Sequence, residues 1–399
     1  MYKLFRLVAW SVVITGSLSA CSKKSQKSPP DQKPDPAVAT ASKEIDRKML
    51  SIFGQLPKHF DSKTNPPSPA KLRLGKMLYH EARLSRSGTL SCNSCHVLTE
   101  YGVDGEPTSP GHAGARGDRN SPTTMNAAGH FRQFWDGREP DVEAQAKGPI
   151  LNPGEHGLKD AAEVEKILSA IPDYVAAFKA AFPEAGDNAV TFDNFAKAVG
   201  AFERKLVTPA PWDDFLAGRD KAISMEAKIG ARNFIEVGCT TCHSGPLLGG
   251  TRYQKLGLVK AWPRAEDPGR KKVTGKDSDL HMFKIPSLRN IEKTGPYFHD
   301  GQTNSLSEAV KLMARHQLGV ELKGAKLASI IAFLRSLTGT VRDKKLLQPP
   351  KLPDDAPAPE AVAQDELKPA KLIPKKVKDV VPKAPPNKDD APEPVPPQP

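Results

Sequence analysis

The sequence predicts a mainly α-helical protein with two globular domains, long loops and flexible ends. Three observations predict this fold class. Apolar residues recur at helical spacing in several segments, and long stretches rich in Gly, Pro and Asn separate these segments. One cysteine motif occurs twice, about 147 residues apart, so each copy can belong to its own domain. Behind an N-terminal export signal, residues 21–44 have few apolar residues, and residues 346–399 are rich in Pro and Lys, so neither segment is expected to form a core.

The N-terminus has the features of an export signal. Basic residues precede the largely apolar run 7–14, which is too short to span a bilayer. Small residues then precede Cys21, as at the cleavage site of a bacterial lipoprotein. We predict that residues 1–20 are a lipoprotein signal peptide and that Cys21 becomes a lipidated N-terminus, and Ser22 favours the outer membrane. An ordinary cleaved signal with an incidental cysteine is the alternative.

Composition divides the rest of the chain. Residues 21–44 are rich in Ser, Lys, Pro and Asp and are predicted to be a flexible tether. Residues 346–399 are rich in Pro and Lys and are predicted to be a disordered tail. The roughly 300 residues between them are enough for two domains, which we predict at 45–205 and 206–345.

Four segments carry the strongest helical signals. Ser68 is a favourable N-cap and Pro69 a favourable first helical residue, and apolar residues follow them at helical spacing. The same spacing predicts helices over 192–206, 225–237 and 325–337, the last of which ends near a glycine. Long loops connect these helices.

The repeated cysteine motif is the most informative feature of the sequence. Cys-x-x-Cys-His is the covalent attachment site of c-type haem, in which both cysteines bond to the porphyrin and the histidine binds iron. A redox dithiol, a zinc site and chance are the alternatives. The two copies are Cys92-Asn93-Ser94-Cys95-His96 and Cys239-Thr240-Thr241-Cys242-His243. They predict two covalently bound haem c groups in two cytochrome c-like domains, and haem attachment outside the cytoplasm agrees with export.

The overall charge gives weaker information. The chain has a formal net charge of +12, which by itself would suit a nucleic-acid partner. We expect no nucleic acid to bind, because the protein is predicted to be an exported haem protein. A basic surface suits an acidic electron donor or anionic lipid headgroups.

The group on the sixth position of each haem iron decides what that haem does. A methionine in this position raises the potential and favours electron transfer. An open position beside an acid–base group favours peroxide chemistry instead. Two haems with different sixth ligands would therefore provide one electron store and one reaction centre.

Several longer motifs surround the two haem sites in a specific order and spacing. In the first half they lie at 83–88, 111–112, 119–123, 133–138, 143–146, 148–150 and 152–155. In the second half they lie at 286–290, 296–301 and 309–313. Together they resemble the bacterial di-haem cytochrome c peroxidases, and the resemblance runs from about residue 66 to residue 340.

The resemblance implies a role for each motif of the first domain. The first haem, with His96 as proximal ligand, would be the low-potential peroxidatic haem, and His112 would be its removable distal ligand. Glu155 and Gln145 would line the peroxide pocket, and Trp135 would lie between the two haems. Without the resemblance, the histidine and the acid would be loop residues and the tryptophan a buried aromatic residue.

The resemblance also assigns the second domain. Its haem, with His243 as proximal ligand, would be the high-potential haem at which electrons enter. Met313 would be its distal ligand. Met313 also lies at helical spacing from apolar residues, so core packing is the alternative role, and Met282 is the rival ligand.

Two further expectations come from the resemblance alone. Asn120, Thr294 and Pro296 match a calcium site between the domains, partly through backbone oxygens, which suit a hard cation. The family also implies a homodimer.

The sequence departs from the family pattern in three places. His156 follows Glu155 where the family more often has methionine, which adds a titratable group beside the pocket. Gly129 and His130 replace a bulkier apolar pair before the Phe-Trp motif. The long C-terminal tail is also outside the common pattern.

The function implied by the resemblance is that of a periplasmic, lipid-anchored cytochrome c peroxidase. It would reduce hydrogen peroxide to water with electrons from a small cytochrome c or a cupredoxin. A non-catalytic di-haem electron-transfer cytochrome is one alternative, but it leaves Glu155 and Gln145 without a purpose. A di-haem oxidase that matures a protein cofactor is the other, and such enzymes resemble this chain less because they carry tyrosine at the position of Met313.

Overall fold

The computed structural model describes residues 45–354 of the 399. Within this range the protein is mainly helical, which confirms the predicted fold class, and its one sheet has two antiparallel strands. The predicted signal peptide, the lipidation of Cys21, the tether and the tail beyond residue 354 lie outside the described residues. No helix within the described range has both the length and the apolar character needed to cross a membrane.

The first half of the described chain contains six α-helices. In chain order these are α1 Pro69–Tyr79, α2 Cys92–Cys95, α3 Val142–Leu151, α4 Ala161–Ser169, α5 Pro172–Ala181 and α6 Phe192–Glu203. Helix α1 begins as predicted, because the side chain of Ser68 accepts a hydrogen bond from the N–H of Lys71 and Pro69 is the first helical residue.

The second half is also helical and contains the sheet. Its helices are α7 Pro211–Leu216, α8 Met225–Glu236, α9 Lys271–Thr274, α10 Leu306–Met313 and α11 Gly324–Ser336, and its strands are β1 Tyr253–Lys255 and β2 Met282–Lys284. A π-helical segment, Ala314–Leu318, continues α10. Short 3₁₀ turns lie at Arg47–Ile52, Ala82–Leu84, Leu98–Glu100, Ala127–Gly129, Pro183–Asn188, Asp220–Ala222, Cys239–Thr241, Asp277–Asp279, Ile291–Lys293 and Lys344–Leu347.

One close helix pair stands in each half. Helix α1 packs against α6, and a Cβ atom at Gly75 would lie 1.9 Å from the carbonyl oxygen of Ala198. Helix α8 packs against α11 in the same way, since a Cβ atom at Gly230 would lie 1.8 Å from the carbonyl oxygen of Ser329. Only glycine permits so close an approach, so in both halves a glycine allows the backbones of two helices to come into contact.

Two apolar clusters form the core. The first is built mainly from α1 and α3–α6, and the second mainly from α7, α8 and α11. Ile45 and Phe53 pack in the second cluster, although the prediction placed them with the first domain. Leu346 and Leu347, predicted to open the tail, pack against the first cluster. Apolar side chains at each end of the described range therefore pack against the cluster of the opposite half. The predicted domain boundary near residue 205 stays a prediction.

Candidate active site

The first cysteine motif positions a histidine for iron binding. His96 follows helix α2, and its Nδ1 lies 3.3 Å from the carbonyl oxygen of Gly102. The hydroxyl of Tyr79 donates to the carbonyl oxygen of His96 at 2.8 Å. When Nδ1–H is donated to a carbonyl, the imidazole presents a bare Nε2, which is the arrangement of a metal-ligating histidine.

The second motif repeats this arrangement. Cys239 begins a 3₁₀ turn, and the N–H of His243 donates to the carbonyl oxygen of Cys239 at 3.0 Å. His243 Nδ1 lies 2.9 Å from the carbonyl oxygen of Leu248. Both motif histidines are therefore held in the tautomer that leaves Nε2 available, and the residues present fit two haem groups.

The motif cysteines have the properties of neutral thiols. Burial raises the pKa of Cys92 to about 12, that of Cys95 to about 11 and that of Cys239 to about 12. A redox dithiol and a zinc site both need thiolates, whereas a thioether sulfur is neutral. No group of three or more His, Cys, Asp or Glu residues within 45–354 is arranged to hold a metal ion. Burial thus disfavours the free thiolate form that a redox dithiol needs.

His112 and Glu155 lie on two loops that pair with each other. The N–H of His112 donates to the carbonyl oxygen of Glu155 at 2.8 Å. The ring of His112 lies against Gly157, and its Nδ1 is buried without a hydrogen-bond partner in the described part of the chain. The structure therefore brings the predicted distal histidine and the predicted acid together.

The carboxyl group of Glu155 is held in position by Asn152. The side-chain amide N–H of Asn152 donates to Glu155 Oε1 at 2.8 Å, and the backbone carbonyl oxygen of Asn152 accepts the N–H of Glu155 at 2.9 Å. Burial raises the pKa of Glu155, while the bond from Asn152 and the charge of Arg138 oppose the shift. The charge of Glu155 in turn contributes to the raised pKa of Cys95, so the acid lies near the first haem attachment site.

His156 is buried in the same region. It is 6% exposed, and its Nδ1 lies 2.7 Å from the carbonyl oxygen of Leu84. Burial lowers the pKa of His156, and the nearby imidazoles of His96 and His112 lower it further. The departure noted in the sequence thus adds a third imidazole near the first haem site, and this imidazole is held neutral.

Gln145 and Trp135 occupy different surroundings. Gln145 lies on helix α3, and its side-chain amide makes no hydrogen bond to other residues within 45–354. Trp135 Nε1 donates to the carbonyl oxygen of Asn120 at 2.9 Å, and its ring meets the ring of His299 edge-on with centroids 6.3 Å apart. The backbone carbonyl of Trp135 accepts the N–H of Lys284 at 2.8 Å. Trp135 therefore contacts the second half of the chain directly.

The structure gives less information on the predicted calcium ligands and on Met313. Of the three residues predicted to bind calcium, Asn120 donates its backbone N–H to the carbonyl oxygen of His299 at 2.8 Å. Thr294 directly follows a 3₁₀ turn and lies two residues before Pro296. Met313 is the last residue of α10 and is half-buried. No contact within residues 45–354 distinguishes Met313 from the rival ligand Met282, so the calcium and iron ligand roles stay predictions.

A model of the family described as di-haem cytochrome c peroxidase matches residues 69–221 of the chain. The cytochrome c551 peroxidase of Pseudomonas aeruginosa is 45% identical over 297 residues, which cover 72% of this chain and 85% of that protein. The chain belongs to the di-haem cytochrome c peroxidase family.

Further similarities agree with this membership. The cytochrome c551 peroxidase of Nitrosomonas europaea is 42% identical over 296 residues, covering 73% of this chain and 87% of that protein. The crystal structure of a MauG-like protein associated with microbial copper homeostasis matches with a TM-score of 0.65 and 29% identity, over 74% of this chain and 95% of that one. Membership in the di-haem peroxidase family implies two haem c groups, in agreement with the two cysteine motifs.

Sequence reasoning missed an ion-pair network beside Trp135 of this di-haem peroxidase. Arg119 donates to Asp136 at 2.6 Å and to the two carboxylate oxygens of Asp267 at 2.6 and 2.8 Å. Asp267 belongs to the second half, so the network joins the halves next to the tryptophan. Arg119 and Asp136 lie inside the motifs at 119–123 and 133–138, but no local sequence signal points to Asp267.

A buried acid near the first haem site was also missed. Glu203, the last residue of helix α6, is 5% exposed. Burial raises its pKa to about 8, and the charge of Glu143 adds to this effect. The charge of Glu203 contributes to the raised pKa values of Cys92 and Tyr79, which places the acid close to both. Its position at a helix end within an apolar pattern gave no signal of this contact.

Proposed function

We propose that the protein reduces hydrogen peroxide to water at its first haem, with electrons that enter through its second haem. The first haem is the one attached at Cys92 and Cys95, and the second is attached at Cys239 and Cys242. Relatives at 42–45% identity carry the name cytochrome c551 peroxidase, which supports this activity.

One observation carries the proposal. A half-buried acid with a raised pKa, Glu155, stands on a loop that is hydrogen-bonded to the loop of His112, close to the first attachment site. The arrangement provides an acid–base group beside one haem, and the described residues around the second motif include no comparable acid. The two sites are therefore suited to different tasks.

The reaction consumes two electrons and two protons, so that one hydrogen peroxide gives two water molecules. Haem iron, when bound, supplies a binding position for peroxide and a store of electrons. Glu155 accepts a proton from one peroxide oxygen and returns it to the other, so that the O–O bond breaks with water as the leaving group. Its raised pKa suits this exchange, because a carboxyl group must both take and release the proton near the working pH. Gln145 orients the substrate from helix α3.

His112 controls access to the first iron in this proposal. With haem bound, His112 would be a ligand of the first iron in the oxidised protein, and a rearrangement of its loop on reduction of the second haem would remove it. Trp135 would stand between the two haems, and Met313 would be the thioether ligand that gives the second haem its high potential. A calcium ion held by Asn120, Thr294 and Pro296 stabilises the junction between the halves.

The proposed function also implies an electron donor, a membrane anchor and a dimer. The electron donor is a small cytochrome c or a cupredoxin with an acidic face, which the net charge of +12 would attract. The protein works in the periplasm, held to the outer membrane by the lipid on Cys21, and acts as a homodimer.

The decisive experiment measures peroxide turnover by the purified two-haem protein, with and without prior one-electron reduction. We expect turnover with a reduced small cytochrome c as donor, and faster turnover after prereduction. Turnover that is absent in both states would reject the peroxidase function in favour of a pure electron-transfer cytochrome. Equal turnover in both states would retain the function but reject the gating role of His112.

A further inference from the structure

A buried basic pair lies between strand β2 and the turn that ends at His130. Lys284, the last residue of β2, is only 6% exposed, and its Nζ lies 3.1 Å from Nδ1 of His130. Within residues 45–354 no carboxylate pairs with Lys284, and its ammonium group makes no other hydrogen bond. The roles proposed above give this pair no task.

The pair presents hydrogen-bond donors that have no acceptors. An ammonium group has three donors, and Lys284 uses one of them on Nδ1 of His130. The proton of the neutral imidazole must then stand on Nε2, which is buried and has no partner in the described part of the chain. Burial and the charge of Lys284 lower the pKa of His130 well below its ordinary value, so the ring is neutral. The site therefore lacks an acceptor.

An anion would satisfy both groups. Burial alone lowers the pKa of Lys284 to about 8, because a buried ammonium group is disfavoured unless a negative charge stands beside it. Buried donors without acceptors likewise cost stability. The described residues supply neither the charge nor the acceptor, and one bound anion would supply both.

The surroundings of the pair indicate which group this is. The ring of His130 lies against Gly250. Leu248, two residues before this glycine, accepts the hydrogen bond from Nδ1 of His243 at 2.9 Å. One short loop therefore touches both the basic pair and the proximal histidine of the second haem.

Haem carries two propionate groups that are anionic at neutral pH. We propose that Lys284 and His130 bind a propionate of the second haem, with Lys284 Nζ and His130 Nε2 as the donors. This inference rests on haem attachment at Cys239 and Cys242 and not on the peroxidase activity. A positive charge held near a haem disfavours the ferric state, so Lys284 raises the potential of the haem at which electrons enter.

The test replaces Lys284 by methionine, which keeps the length of the side chain and removes its charge. The matched control is Lys255→Met, because Lys255 is an exposed lysine on the partner strand β1. The reduction potential of each haem is measured by spectroelectrochemical titration of the two-haem protein. In Lys284→Met we expect the reduced-to-oxidised ratio of the second haem to fall on the order of tenfold at a fixed potential, which is 59 mV for a one-electron couple. The first haem and the control should stay unchanged.

A second variant tests the neutral donor. His130→Leu removes the Nε2 donor without changing the charge of the ammonium group, and resonance Raman spectra report the propionate vibrations of the haem directly. We expect a shifted propionate band and a smaller change in potential than in Lys284→Met. The proposal is overturned if Lys284→Met behaves like Lys255→Met, or if the first haem shifts instead of the second. If Lys284→Met does not fold, an unchanged propionate band in His130→Leu overturns it. None of these measurements depends on peroxide turnover, so they are independent of the proposed function.

Discussion

The two halves of the molecule hold their haem sites with the same structural elements. In each half a glycine brings two helices into backbone contact, at Gly75 in the first and Gly230 in the second. In each half the motif histidine, His96 or His243, places its Nδ1 against a backbone carbonyl. The glycine contacts and the histidine–carbonyl bonds therefore do not distinguish the two haem sites. Any difference between the sites must come from the surrounding loops and helices.

That difference is one of charge and proton chemistry. The loops beside the first motif carry a half-buried acid, Glu155, next to His112. In the second half, the loop that accepts the hydrogen bond of His243 also touches His130, the partner of the buried Lys284. A negative group that can exchange protons suits peroxide cleavage, whereas a buried cation and a thioether both favour the reduced state of a haem. In the proposed function, these few residues outside the shared elements give the two halves different tasks.

The largest expected effect comes from removing the acid of the first half. Glu155→Gln keeps the size and polarity of the side chain but cannot accept the peroxide proton. Steady-state turnover should fall by roughly 10²–10⁴-fold, the usual contribution of one acid–base group, while both haems stay attached and the second potential stays unchanged. The control is Glu184→Gln, because Glu184 is an exposed acid of the same half.

Retention of near-normal turnover by Glu155→Gln would contradict the division of tasks between the halves. His156 is a buried imidazole near the same site and is the available substitute base. The double variant with His156→Met separates the two contributions, since turnover should fall further only if the imidazole carries protons.

A smaller effect is expected from the second half. Met313→His should lower the potential of the second haem by on the order of 100 mV, because imidazole stabilises ferric iron better than a thioether does. A redox titration of the two-haem protein checks this, with Met282→His as the matched variant of the rival ligand. A fall in Met282→His alone would transfer the ligand role to strand β2.

Local signals predicted much of the fold and of the site. The N-cap at Ser68, the helical spacing over 192–206 and the cysteine motifs each depend on residues close together in sequence, and the structure contains the corresponding elements. The pairing of His130 with Lys284 and the packing of Ile45, Leu50 and Phe53 in the second cluster were not predicted. These contacts join residues that are far apart in the chain, so no periodicity or spacing indicates them.

The helix pairs of the two halves differ at one buried position. Beside the glycine contacts, Phe202 near the end of α6 corresponds to Phe333 of α11, since each touches the glycine of its half. The next residue is buried in both, but it is Glu203 in the first half and Leu334 in the second. The first half therefore contains a buried acid where the second half contains an apolar side chain.

This acid should make the stability of the protein depend on pH. Burial raises the pKa of Glu203 to about 8, above the ordinary value of 4.5 that the unfolded chain would show. Between these values the folded state keeps the proton and the unfolded state loses it, so the free energy of unfolding should fall as the pH rises from about 4.5 to about 8. The slope cannot exceed about 1.4 kcal/mol per pH unit for one group. Denaturant unfolding of Glu203→Gln should show a smaller fall over this range than the wild type, whereas Glu184→Gln should match the wild type. If the free energy of unfolding fell equally with pH in all three proteins, Glu203 would be ionised in the folded state. The replacement of Leu334 by an acid at the matching position would then not affect proton binding.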